Sequence, residues 1–256
     1  MNVLAAALAT ALALTIAFVQ PFAGRRRYSA LVARVAADPG ARLRHYRRGI
    51  AGEWISVVLV VVIGALAGHT AASIGLRAPN DAWVSAQLVA EIALLLLITT
   101  LFMRHPRFLD PLRRQARGFL ALLPRTRVER STFAVLAVTA GVCEEIVFRG
   151  FGFAYVRFLW PGVTDGWLIL VTSAVFGLAH LYQGPRGVLL TGLAGAAFAS
   201  MTLTTGSLLP AITVHAMVDL RILGLPDLAR DFIGTPVPPI PPVPPVAPVV
   251  EPEPAE

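Results

Sequence analysis

Apolar residues fall along this chain in long runs, separated by short polar stretches that are mostly basic. The runs lie near residues 3–19, 54–68, 83–103, 132–148, 167–181, 188–203 and 208–225. A helix needs about 20 mostly apolar residues to cross roughly 30 Å of hydrocarbon. Several runs are shorter, but their weakly polar flanks let them extend. The fourth run can join the apolar stretch 150–158 as one long tilted helix. The pattern therefore predicts an all-α fold: a polytopic transmembrane helical bundle of about seven spans, with six and eight as the alternatives.

Composition supports a membrane setting. Of 256 residues, 56% are hydrophobic and only 14% charged, and the mean hydropathy is +0.69. A soluble domain carries about 25% charged residues, so a soluble globule and a disordered chain are both excluded. The formal net charge is +7 and all 22 basic residues are Arg. They cluster between apolar runs rather than along a groove, so the bilayer is the expected partner and nucleic acid is not. Residues 24–53 hold eight Arg and residues 104–130 another eight, whereas 71–82 hold only Arg77. By the positive-inside rule both basic stretches are cytoplasmic. Seven spans then place the N-terminus outside and the C-terminal tail in the cytoplasm of a multi-pass protein, expected in a prokaryotic cytoplasmic membrane. The first run has no basic residues before it, which favours a retained helix over a signal peptide.

Three regions follow. Residues 1–130 carry the first helices and the Arg-rich loops, 131–225 a helical core, and 235–256 a tail with ten of the twenty prolines. Partial helical periodicity at 28–37 and 108–123 predicts interfacial helices in the basic loops. The tail reads as polyproline II or disordered, either simply solvated or a ligand for an SH3-like module. The single cysteine, Cys143, cannot form an internal disulfide, and a buried thiol is more often an inert small apolar residue than a nucleophile.

The chemistry lies in the polar residues of the C-terminal half. Glu144, Glu145, Arg149, His180, His215 and Asp219 sit within or beside apolar runs. Each costs at least about 2.5–3.5 kcal/mol in hydrocarbon even on the lenient insertion scale. They must therefore face one another or a wet cavity. Glu145 and Arg149 are one helical turn apart and can pair, while Glu144 points about 100° away and is free for another partner. Phe176 shares a face with His180, as His215 does with Asp219. Converging, the three stripes would build a polar site in an apolar surround. A poorly solvated carboxylate is a useful base near neutral pH. Glu144 and His180 sharing a water would make a nucleophile, and His215 with residue 219 would face the oxyanion of an amide.

The segments Glu144-Glu145-Ile146-Val147-Phe148-Arg149, Phe176-Gly177-Leu178-Ala179-His180 and His215-Ala216-Met217-Val218-Asp219 resemble the EExxxR, FxxxH and HxxxN/D motifs of the CPBP family. These are intramembrane glutamic endopeptidases, the CAAX prenyl protease-like or Abi proteins. The resemblance implies an intramembrane peptidase without a covalent intermediate. In it Glu144 is the general base and His180 its partner in orienting water. Glu145 and Arg149 form a structural pair, Phe176 packs the motif, and His215 with Asp219 stabilises the oxyanion. Prenyl-processing members carry Asn at the last position. An ionised Asp cannot donate a hydrogen bond, so Asp219 is either protonated or orients His215. No cofactor is expected; a zinc site built from two His and a Glu is the mechanistic alternative. The expected partner is a membrane-associated protein or peptide substrate, and the site is expected to open toward the cytoplasm. A catalytically silent scaffold or immunity-type module is the competing reading, with a proton-coupled transporter behind it.

Overall fold

The structure, a computed structural model, describes residues 2–105 and 119–224. The Pro-rich tail and most of the 108–123 segment lie outside the described residues. Among the described residues there are seven principal helices: α1 (Val3–Arg34), α2 (Ala41–Leu66), α3 (Ala82–Met103), α4 (Arg127–Leu159), α5 (Asp165–Ala179), α6 (Gly184–Thr205) and α7 (Leu209–Leu220). There is no strand among the described residues. The chain is a polytopic helical bundle. Helices α1 to α4, and α6 with the 3-10 turn that precedes it, are long and apolar enough to cross a membrane. The 15-residue α5 and 12-residue α7 are shorter. At 1.5 Å per residue α7 covers only about 18 Å, and it buries Pro210, Ala211, Val214 and His215 among its neighbours.

Local chemistry sets the boundaries. Asn2 caps α1 through Ala5 N and Asp81 caps α3 through Val84 N. A reciprocal capping box of Thr126 and Glu129 opens α4. Gly206, at φ +66°, ends α6 in the left-handed region that a side chain rarely adopts. Pro210 then enters the first turn of α7, where its missing N–H costs no bond.

The first basic stretch is not a loop with its own interfacial helix. Arg25, Arg26 and Arg27 lie inside α1, which runs on to Arg34, and Arg42, Arg44, Arg47 and Arg48 lie inside α2. A helix has no reason to stop where the hydrocarbon does, because arginines can snorkel from its extension. The fourth run does continue as one helix to Leu159, through a π-helical turn at Ile146–Phe151.

Alternate helix ends meet at two poles. At one, Leu208 N donates to Gly75 O (2.9 Å), Asn80 N to Thr205 O (2.9 Å) and Arg77 Nε to Gly206 O (2.8 Å). At the other, Arg42 pairs with Glu129 at 2.9 Å and also donates to Ala121 O. Helices α2 and α4 start together at this Arg-rich pole and run parallel. Arg42 meets Glu129, Tyr46 meets Phe133 and Gly49 faces Leu136, always at a sequence offset of 87.

Candidate active site

Helix α4 supplies three of the site's side chains. Glu145 and Arg149 are 0% and 1% exposed, joined by a 2.9 Å bond from Arg149 Nη1 to Glu145 Oε1. Arg149 Nη2 donates to Gly195 O on α6 at 2.8 Å, and its guanidinium lies 4.4 Å from the centre of the Phe176 ring. The pair is thus a buried strut tying α4 to α5 and α6. The π-helical turn begins immediately after Glu145. Such turns recur at functional sites, where they re-aim side chains.

The histidines come from the two short helices. His180 ends α5, and its Nδ1 lies 2.9 Å from Phe176 O. A carbonyl only accepts, so Nδ1 carries the hydrogen and Nε2 is turned inward. His215, on α7, donates from Nδ1 to Glu145 Oε1 at 2.7 Å. Its other nitrogen, Nε2, faces Glu144 Oε2 at 3.7 Å and Asp219 Oδ2 at 3.9 Å. Glu144 Oε2 is also 4.0 Å from His180 Nε2. That oxygen is buried and makes no hydrogen bond. These separations exceed a direct hydrogen bond and suit a bridging water.

Apolar rings hold this group in place. Phe198 stacks on His215 with centroids 4.7 Å apart, and Phe176 meets His215 edge-on at 5.8 Å and His180 at 4.9 Å. Helix spacing here depends on glycine. A Cβ at Gly141 would lie 2.8 Å from Ala216 N on α7, and one at Gly177 2.7 Å from Val188 O on α6.

Glu144, His180, His215 and Asp219 line a cavity of about 1660 Å³. Its other walls include Arg27, Arg34, Arg44, Arg48 and Arg186, so it leads to the Arg-rich pole. The structure therefore brings all of the sequence-predicted polar residues together. Glu145 and Arg149 lie beneath the site and the other four face the cavity. Cys143, fully buried, packs into the apolar core with Ile146 and Val147.

Arg149 is committed to Glu145, and Arg157 faces Asp165 at 3.6 Å. On α3, Gln87 Nε2 donates to Glu91 one turn later at 3.2 Å. His45 lies within α2 and lines the cavity. Sequence reasoning missed Glu53, Tyr182 and Phe198 as cavity residues. Glu53 fell just outside the apolar run starting at 54, although His45, Arg48, Gly49, Gly52, Glu53 and Ser56 follow one helix face at three- and four-residue spacing. Among the described residues no group of three or more His, Cys, Asp or Glu is arranged to hold a metal ion.

Residues 128–221 match the family model described as "Type II CAAX prenyl endopeptidase Rce1-like". No curated protein and no solved structure matches the chain. The matched stretch runs from the first turn of α4 to just past α7 and contains every motif residue. Over residues 128–221, under half of the chain, the sequence is similar to that CAAX protease family, and the similarity supports a protease-type enzyme built on a helical bundle.

Proposed function

We propose that this protein is an intramembrane endopeptidase that hydrolyses a peptide bond with a water activated by Glu144 and His180. The observation that carries the reading is the unpartnered, buried Oε2 of Glu144, faced by the inward nitrogens of His180 and His215 at 4.0 and 3.7 Å. A water in that gap donates one hydrogen to Glu144 and the other to His180 Nε2. Glu144 takes the proton as the water oxygen attacks the carbonyl carbon, then returns it to the leaving amine as the C–N bond breaks. No acyl-enzyme forms. His215 acts as the imidazolium: Nδ1–H donates to Glu145, and the second hydrogen, on Nε2, is donated to the developing oxyanion. Asp219 steadies the His215 ring, since an ionised carboxylate has no hydrogen to donate.

The substrate in this reading is a membrane-associated protein or peptide, entering from the pole where the cavity is ringed by arginines. The positive-inside rule makes that pole cytoplasmic. With seven spans the N-terminus is then outside. The family name points to prenylated CAAX proteins as the first substrates to try. Purified protein in liposomes should cut such a peptide, and Glu144→Ala and His180→Ala should each abolish cutting while the helical content holds. Undiminished turnover in either variant would remove that residue from the mechanism.

A further inference from the structure

Glu53 is a carboxylate that neither the family motifs nor the chemistry above uses. It is the thirteenth residue of the 26-residue α2 and lies outside the matched segment 128–221. Its neighbours Trp54 and Ile55 face outward, 46% and 61% exposed, while Glu53 turns into the cavity. An ionisable group at mid-helix in an apolar span is expensive and marks a functional position.

Register fixes where it sits. The offset of 87 that pairs Arg42 with Glu129, Tyr46 with Phe133 and Gly49 with Leu136 places Glu53 beside Ala140. Glu144 is one turn further along α4, roughly 5–6 Å deeper from the Arg-rich mouth. The space beside Glu53 is open: a Cβ at the adjacent Gly52 would meet nothing within 4 Å. Glu53 makes no hydrogen bond or ion pair with any described residue. Arg27, His215 and Glu144 act on it only through their charges.

Charge then identifies the ligand. At this depth Glu53, Glu144 and Asp219 face the cavity with two imidazoles, His180 and His215, while Arg149 is committed to Glu145. The arginines of the cavity, Arg27 included, make no ion pair with Glu53 among the described residues, so its position is open to a cation brought by the substrate. We propose that Glu53 is a specificity-determining residue that holds a lysine or arginine side chain of the substrate within two residues of the scissile bond. The reach follows from the depth difference and a rise of about 3.3 Å per residue in an extended peptide. The proposal rests on the peptidase reading of the same cavity.

The test uses the full chain in detergent and internally quenched peptides that differ only in carrying Lys, Gln or Glu next to the cut. Wild type should favour Lys over Gln in kcat/KM by roughly tenfold or more, the usual worth of a charge-assisted bond. Glu53→Gln should bring the ratio toward one, and Glu53→Lys should shift preference to the Glu peptide. A Lys-to-Gln ratio that is the same in wild type and Glu53→Gln overturns the subsite and leaves the peptidase standing. Anisotropy of the labelled peptides on Glu144→Gln reads the preference without turnover. Lys-selective binding that Glu53→Gln removes, in a protein that cuts no peptide, sustains the subsite and overturns the peptidase.

Discussion

Adding one methyl group at Gly141 tests whether the close approach of α4 and α7 builds the site. A Cβ there would lie 2.8 Å from Ala216 N, 3.0 Å from Ala216 Cβ and 3.1 Å from Ala216 Cα. Non-bonded carbon contacts settle at about 3.5–4.0 Å, so the two helices must part by roughly 0.7 Å. Overpacking of this kind costs about 1–3 kcal/mol, and the change from Gly to Ala in a helix returns about 0.5–1 kcal/mol. Gly141→Ala should therefore destabilise the fold by about 0.5–2 kcal/mol. The effect on activity should be larger. Gly141 is three residues from Glu144, and Ala216 adjoins His215, so parting the helices stretches the 2.7 Å bond from His215 to Glu145 and the 3.7 Å gap to Glu144. A misplacement near 1 Å costs on the order of 100-fold in rate. The control is Gly52→Ala, where the new methyl meets nothing within 4 Å and should stabilise by about 0.5–1 kcal/mol. Thermal unfolding in detergent, followed by circular dichroism, reads stability, and cleavage of a quenched peptide reads activity. If the two alanine variants move stability in the same direction and turn over equally, the reasoning from helix approach is wrong.

Other consequences are accessible to the same assays. Arg149→Met leaves Glu145 buried without its cation and should cost roughly 3–5 kcal/mol, much of it recovered in the double variant Glu145→Leu/Arg149→Met. That double variant should stay inactive, because His215 loses its Nδ1 acceptor; turnover in it would show that the strut plays no part in orienting the ring. Arg42→Met removes the partner of Glu129 near the Arg-rich pole, but Glu129 keeps the backbone donors of Arg125 and Thr126. A loss of about 1–3 kcal/mol is expected, with activity per folded molecule unchanged.

The motif residues were legible in the sequence because each violates its surroundings. A carboxylate or imidazole in an apolar run demands a partner, and the four-residue spacings of Glu145 with Arg149 and of His215 with Asp219 say which face each occupies. The cross-helix bond from His215 to Glu145 was not legible, since nothing local relates residues 70 positions apart. Glu53 was hidden by where the apolar window ended: one residue before Trp54 it read as loop, although α2 had begun at Ala41. The same boundary effect cut α1 at its arginines, when its helix continues to Arg34. Hydropathy reports where hydrocarbon begins; hydrogen bonding and capping decide where a helix does.

The central claim is that the unpartnered oxygen of Glu144 activates the water that splits the substrate. The most direct measurement is the single-turnover rate of Glu144→Gln on a membrane peptide, beside a melting curve on the same sample. An unchanged melt with a rate at least roughly 1000-fold below wild type is the predicted result, the scale of losing a general base. Cleavage at the wild-type rate by the folded variant would contradict the account.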